Sequence, residues 1–133
     1  MLAILIFAHG SRDPLWRAPV EAVASAVRAQ APGVHVACAY LELCHPELPE
    51  AAAQAIAAGA TEVRVLPLFF GMGKHAREDL PVLMDQLRQA HPAVAFLQLP
   101  TAGEQPRLTA LLAELALDPD PAILSTSPHL AAA

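Results

Sequence analysis

Four apolar runs, each followed by a helix-like stretch, restrict the fold of this chain more than any other feature. The first run, Leu2–Ala8, is continuously apolar, as expected for a strand that is covered on both faces of a sheet. The other three strands are predicted at residues 34–41, 62–70 and 93–99. This alternation is typical of a parallel β-sheet whose crossover helices pack against its faces. The sequence therefore predicts an α/β fold with a single-domain open parallel β-sheet flanked by helices, built from about four βα units.

Capping residues, prolines and glycines mark the helices between these strands. Asp13-Pro14 supplies a helix cap and a first-turn proline, while Gly59 follows an alanine-rich stretch and stops it. The predicted helices are residues 14–30, a segment that opens at His45-Pro46 and ends at Gly59, residues 79–90 and residues 104–117. We expect residues 1–117 to form the domain and residues 118–133 to form a proline-rich tail, with residues 122–127 as either a short edge strand or a frayed end.

The composition narrows the class of protein. The chain has 133 residues, 55% of them hydrophobic, which is enough for one packed core. Its formal charge of −5 argues against nucleic acid or an anionic membrane as partner. No apolar run is long enough to span a membrane, and no signal peptide precedes the first strand, so we expect a cytoplasmic protein. Cys38 and Cys44 are then expected as free thiols.

Polar side chains gather where the predicted strands end, which is where ligands bind in open parallel sheets. His9 follows the first strand, Glu42 the second, and His75 the third. Two histidines that converge from separate strands suit either proton transfer near neutral pH or binding of a divalent metal. A neighbouring carboxylate can orient an imidazole or accept a proton.

Most loop histidines are structural or merely solvated, and this interpretation fits the other four, which are His35, His45, His91 and His129. The loops that carry His9 and His75 differ from the surroundings of the other four histidines. In each of these two loops the histidine is followed by Arg, then Asp, then a Pro at the start of a helix. The repetition favours a functional role for His9 and His75. Asp13 and Asp79 are explained by helix capping alone.

Several motifs resemble the small CbiX/SirB type of class II tetrapyrrole chelatase. In chain order they are AHGSRDP at 8–14, YLEL at 40–43 followed by Pro46, LPLFF at 66–70, GKH at 73–75 and EDLP at 78–81. The resemblance implies a flavodoxin-like chelatase half-domain that inserts Co²⁺, Fe²⁺ or Ni²⁺ into sirohydrochlorin for cobalamin or sirohaem synthesis. The divalent metal would be a substrate, with no tightly bound cofactor. Since longer relatives hold two such domains, a chain of this length is expected to work as a homodimer.

The resemblance also implies roles for individual residues. His9 and His75 would hold the metal or take the pyrrole protons, with Glu42 as their acidic partner. Sirohydrochlorin carries carboxylates, so cationic and loop residues are expected to bind the substrate despite the acidic total charge. The expected substrate-binding residues are Ser11, Arg12, Gly73, Lys74 and Arg77.

Two alternatives use the same histidines. A carrier that only holds metal or tetrapyrrole needs the same residues as a chelatase. A hydrolase of the histidine-phosphatase kind would use His9 as phosphoryl acceptor, but that chemistry requires an arginine immediately before the histidine, where Ala8 stands.

Overall fold

The computed structural model describes residues 1–118 and confirms the predicted α/β fold. Four parallel strands form one sheet in the order β2-β1-β3-β4. The strands are β1 (Leu2–Ala8), β2 (His35–Tyr40), β3 (Glu62–Pro67) and β4 (Ala95–Gln98). The helices are α1 (Pro14–Gln30), α2 (Leu48–Ala57), α3 (Lys74–Ala90) and α4 (Pro106–Leu117), with a 3₁₀ turn at Ala102–Glu104 before α4. The strand or frayed end predicted at residues 122–127, like the rest of the predicted tail beyond Asp118, lies outside the described residues.

Most predicted boundaries lie within two residues of those observed, and three differ by more. The third strand ends at Pro67 instead of residue 70, because the Phe69 carbonyl accepts a hydrogen bond from Gly103 in the 3₁₀ turn and has no β4 partner. The second helix begins at Leu48, since the Pro46 carbonyl accepts the outward-facing Tyr40 N–H of β2. The third helix begins at Lys74, five residues earlier than predicted.

The early start of α3 follows from the backbone of Gly73, whose extended conformation (φ −64°, ψ 165°) makes it the N-cap residue. The prediction placed this start later because Pro81 appeared to belong to a first turn. In the structure Pro81 lies inside α3. His75, Lys74 and Arg77 therefore belong to the beginning of a helix and not to a loop.

The two faces of the sheet bury different sets of side chains. On one face, Leu5 and Phe7 of β1 pack with residues of α2 and α3, among them Met84. On the other face, Ile6 of β1 packs with Val20 of α1. Full burial of one such large side chain contributes about 1.5–3 kcal/mol, so these two layers fix the helices on either side of the sheet.

The strand order places a topological switch point between β1 and β3. The chain leaves β1 towards one edge of the sheet and leaves β3 towards the other, which opens a crevice at the carboxyl ends of these two central strands. A site is therefore expected where His9 follows β1 and where α3 begins after β3. Within residues 1–118, no helix is both long and apolar enough to cross a membrane.

Candidate active site

His9 and Glu42 are brought together by backbone pairing that continues past the ends of β1 and β2. The Glu42 N–H donates to the His9 carbonyl oxygen at 3.0 Å. The two side chains then meet, with His9 Nε2 at 2.9 Å from Glu42 Oε1. Both remain about half exposed, at 53% and 55% of their side-chain surface. The carboxylate can therefore orient the imidazole and exchange a proton with it while both stay open to a ligand.

Gly10 makes this close approach possible. Its φ of +107° lies in a region that favours glycine, and a Cβ placed there would fall 1.8 Å from the Glu42 carbonyl oxygen. Any side chain at this position would therefore push the loop after β2 away from the loop after β1. The glycine following His9 thus belongs to the packing that positions the His9–Glu42 pair.

His75 is the second residue of α3 and lines the same cavity as His9. The cavity has a volume of about 270 Å³, and its walls also include Leu41, Phe69 and Lys74. The predicted convergence of the two histidines on one rim is thus observed in the geometry. His75 makes no hydrogen bond or ion pair with any other described residue, which leaves its imidazole available to a ligand.

The N-terminus of α3 adds a positive wall to this cavity. Gly73 lines the cavity and offers no side chain to cap the first-turn N–H groups. Lys74 lines it as well and carries a full positive charge. Unpaired N–H groups and the helix dipole favour an anion at such a position.

The remaining predicted substrate-binding residues do not line this cavity. Ser11 Oγ accepts a hydrogen bond from the Asp13 N–H at 3.0 Å, and Asp13 Oδ1 accepts one from the Leu15 N–H at 2.9 Å. Ser11 and Asp13 therefore hold the turn that starts α1. Arg12 and Arg77 are exposed and stand outside the cavity walls.

The predicted repetition between the two histidine loops is wrong as a structural statement. Pro14 is the first residue of α1, whereas Pro81 is the eighth residue of α3. Likewise His9 precedes its helix, while His75 lies within the first turn of its own. The two strings of His, Arg, Asp and Pro occupy different backbone positions, so their likeness is confined to the sequence.

Contacts between the turn after β4 and the loop after β3 support the cavity and were not predicted from the sequence. Gly103 donates its N–H to the Phe69 carbonyl oxygen at 2.8 Å, and the buried Thr101 places Oγ1 2.9 Å from Met72 Sδ. A Cβ on Gly103 would overlap the Phe70 backbone. The 3₁₀ turn after β4 therefore packs closely against the loop that leads to His75 and is hydrogen-bonded to it. These contacts depend on how two loops pack in three dimensions, which the sequence does not reveal.

The metal-binding capacity of the site is limited to few protein ligands. In the part of the chain that the structure describes, no three His, Cys, Asp or Glu side chains lie close enough to hold a metal ion together. The donors at the cavity are the His9 and His75 imidazoles and, through His9, the Glu42 carboxylate. Such groups can exchange protons near neutral pH, and a divalent ion bound by only one or two of them would keep most of its coordination positions open.

These features define a small open α/β domain with a histidine-lined cleft at the carboxyl ends of its central parallel strands. The chain belongs to the CbiX family, whose sequence profile matches residues 3–118. The sirohydrochlorin cobaltochelatase of Methanopyrus kandleri is 33% identical over 84 residues, which cover 63% of this chain and 59% of that protein. The sirohydrochlorin cobaltochelatase of Sulfolobus acidocaldarius is 28% identical over 116 residues, which cover 87% of this chain and 90% of that protein.

Solved structures show the same fold. The CbiX protein from Marinobacter aquaeolei VT8 superimposes with a TM-score of 0.76 at 28% identity, covering 89% of this chain and 96% of that one. The sirohydrochlorin chelatase SirB from Bacillus subtilis subspecies spizizenii, solved in complex with cobalt, gives a TM-score of 0.74 at 22% identity. The match covers 88% of this chain but only 50% of the SirB chain.

Proposed function

We propose that this protein is a sirohydrochlorin metal chelatase that inserts Co²⁺, Fe²⁺ or Ni²⁺ into the tetrapyrrole for cobalamin or sirohaem synthesis. The observation that carries the proposal is that His9, which is paired with Glu42, and His75 line one cavity at the switch point of the sheet. Two curated relatives of the CbiX family, at 33% and 28% identity, are sirohydrochlorin cobaltochelatases.

The three residues would divide the work of metal insertion. The incoming ion needs ligands that hold it weakly enough to release it, and two imidazoles leave positions open for the ring nitrogens. Two pyrrole N–H protons must leave the ring as the metal enters. With the Nε2–H of His9 donating to Glu42 Oε1 at 2.9 Å, the Nδ1 atom of His9 can accept a pyrrole proton while the Nε2 proton passes to Glu42.

The cationic residues would hold the carboxylates of the substrate. Lys74 lines the cavity together with the first residues of α3, whose N–H groups have no side-chain cap, and this end of the helix suits one carboxylate. Ser11, Arg12 and Arg77 stand outside it, so we propose that they contact peripheral carboxylates of a macrocycle that extends beyond the cavity. Arginine forms paired hydrogen bonds with carboxylates, which suits this role.

The size of the cavity supports a homodimer. Sites for small molecules usually measure about 300–1,000 Å³, and this cavity of about 270 Å³ is too small for a tetrapyrrole. We propose that a second copy of the chain closes over the exposed side of the macrocycle. We further propose that residues 1–117 form the catalytic domain, residues 118–133 a separate tail, and that the protein acts in the cytoplasm.

The test is the rate of Co²⁺ insertion into sirohydrochlorin, followed by visible absorption, for wild type, His9→Ala and His75→Ala. We expect each variant to lose about 100-fold or more of the rate, as for removal of a general acid or base. His91→Ala, at the far end of the helix that carries His75, is the matched control and should retain the wild-type rate. Equal rates in His9→Ala and wild type would contradict the assignment, and tight binding of the metallated ring without faster insertion would favour a carrier. Repeating the assay with Fe²⁺ and Ni²⁺ ranks the metals.

A further inference from the structure

A second and larger cavity lies along the outer edge of β2, between α1 and α2. It is a groove of about 410 Å³ and shares no lining residue with the histidine cavity. Its polar lining includes Arg17, Ser25, Arg28, Cys38, Tyr40 and His45. Nothing in the proposed chelatase chemistry uses these side chains, so the groove needs its own explanation.

The groove is not a place for an added β-strand, because the edge of β2 is already capped at both ends. Arg28 Nη2 donates to the Val36 carbonyl oxygen at 2.9 Å, and the Tyr40 N–H donates to the Pro46 carbonyl oxygen at 2.9 Å. An arriving strand would have to displace both hydrogen bonds. An occupant must therefore be a compact molecule that binds to side chains.

The guanidinium groups in the groove are not neutralised. Within residues 1–118, neither Arg17 nor Arg28 lies within 4.0 Å of a carboxylate, although Glu21 also lines the groove. The Arg17 Nε atom is buried and has no hydrogen-bond partner among the described residues. A ligand in the groove would therefore reach Arg17 through the Nη atoms of its guanidinium group, which is not paired with a carboxylate.

The Tyr40, Cys38 and Ser25 side chains of the groove are uncharged. Burial raises the pKa of the Tyr40 phenol to about 12 and also raises the pKa of the Cys38 thiol. Both groups therefore stay protonated near neutral pH, and the Ser25 hydroxyl adds a third neutral donor. Two guanidinium groups against the single carboxylate of Glu21 leave the groove with an excess of positive charge.

We propose that this groove is a second binding site, taking a small carboxylate- or phosphate-bearing molecule whose oxyanion is held by Arg17 and Arg28. Arginine presents paired N–H groups that match both oxyanions, and the volume of the groove falls within the range of small-molecule sites. The site is separate from the histidine cavity, so it does not depend on the proposed chelatase function.

The test is a titration of the ¹⁵N-labelled full-length protein with inorganic phosphate and, separately, with succinate, monitored by NMR. We expect saturable shifts at Ser25, Cys38 and the Arg17 Nε–H, and the tighter of the two titrations identifies the oxyanion. Arg17→Gln and Arg28→Gln should each weaken binding by about tenfold or more, as expected for a hydrogen bond to a charged group. Arg17→Lys keeps the charge but removes the paired N–H groups of the guanidinium, and should also weaken binding.

The chain offers a matched control for Arg28. Arg88 Nη2 donates to the Phe96 carbonyl oxygen across the same eight-residue separation at which Arg28 Nη2 donates to Val36, but Arg88 does not line the groove. Arg88→Gln should therefore leave the affinity for phosphate or succinate unchanged. An equal loss of affinity in Arg88→Gln, shifts confined to residues 73–75, or no saturation with either anion would overturn the proposal.

Discussion

The units β1–α1–β2 and β3–α3–β4 share one framework and differ at the end that carries the site. Both helices have 17 residues, and each carries in its last turn an arginine, Arg28 or Arg88, that donates to a carbonyl of the following strand. The residue after each helix also donates its N–H to the last turn, Ala31 to Val27 and His91 to Leu87. The amino ends of the strands are therefore built alike in the two units.

The beginnings of the two helices are built differently. Helix α1 starts after a turn held by Ser11 and Asp13, and His9 stands before that turn, paired with Glu42. Helix α3 has Gly73 as its N-cap residue, so no side chain caps its first N–H groups, and His75 lies in its first turn. The first histidine is thus fixed by side-chain and backbone contacts, whereas the second lies beside free N–H groups. The difference supports the proposed division of roles, with His9 as an oriented proton acceptor on one side of the cavity and the N-terminus of α3 as an anion-binding end on the other.

The largest effect is expected for Gly10→Ala. A Cβ there would lie 1.8 Å from the Glu42 carbonyl oxygen, and the φ of +107° disfavours alanine. Backbone strain and overpacking each cost about 1–3 kcal/mol, so we expect the free energy of unfolding to fall by about 3 kcal/mol. Gly71→Ala in the second loop is the control, since nothing lies within 4 Å of its Cβ position. Urea unfolding measures both, and equal losses would show that the first loop is no tighter than the second.

The next effect is expected for Glu42→Gln, which removes the carboxylate that holds His9. We expect a loss of about 10–100-fold in the rate of metal insertion, as is typical when the partner of a functional histidine is removed. If Glu42 acts through His9, the double variant His9→Ala/Glu42→Gln should be no slower than His9→Ala alone. Glu50→Gln, whose carboxylate lies 3.7 Å from the exposed His45, is the control and should leave the rate unchanged. Additive losses in the double variant would show that Glu42 acts independently of His9.

A smaller effect is expected for Asp13→Ala. Asp13 Oδ1 accepts the Leu15 N–H at 2.9 Å and is the N-cap of α1. Loss of such a cap costs about 1 kcal/mol, so the midpoint of urea unfolding should fall accordingly. Asp79→Ala is the control, because the structure places Asp79 inside α3, where it caps nothing. The same loss in both variants would restore the sequence-based interpretation of Asp79 as a capping residue.

The sequence predicted the strands and helices of the first unit better than those of the second, and the reason is local. Asp13-Pro14 is a complete start signal, so α1 and Leu2–Ala8 have the predicted bounds. The signal at the start of α3 is a glycine with an extended backbone, which a sequence does not reveal. Pro81 then suggested a later start than the true one.

The candidate site also has features that the sequence predicts and features that it does not. Convergence of His9, Glu42 and His75 follows from parallel strands that end at one edge, so it could be predicted without coordinates. The 2.9 Å pair of His9 with Glu42 and the need for Gly10 depend on how two loops pack, which sequence spacing does not contain. The groove at Arg17 was not predicted because its residues come from two helices and an edge strand.

The smallest effect on stability is expected for Gly73→Ser, and it tests the open end of α3 directly. Gly73 has the extended backbone of an N-cap, and nothing lies within 4 Å of its Cβ position. Serine at this position should therefore cap the helix and stabilise the protein by a few tenths of a kcal/mol. The same hydroxyl would occupy an N–H group that we assign to a substrate carboxylate, so KM for sirohydrochlorin should rise while kcat changes little. A stabilised variant with unchanged KM would show that the N-terminus of α3 does not contact the substrate. Lys74 would then be the only part of the positive wall of the cavity that is left to bind a substrate carboxylate.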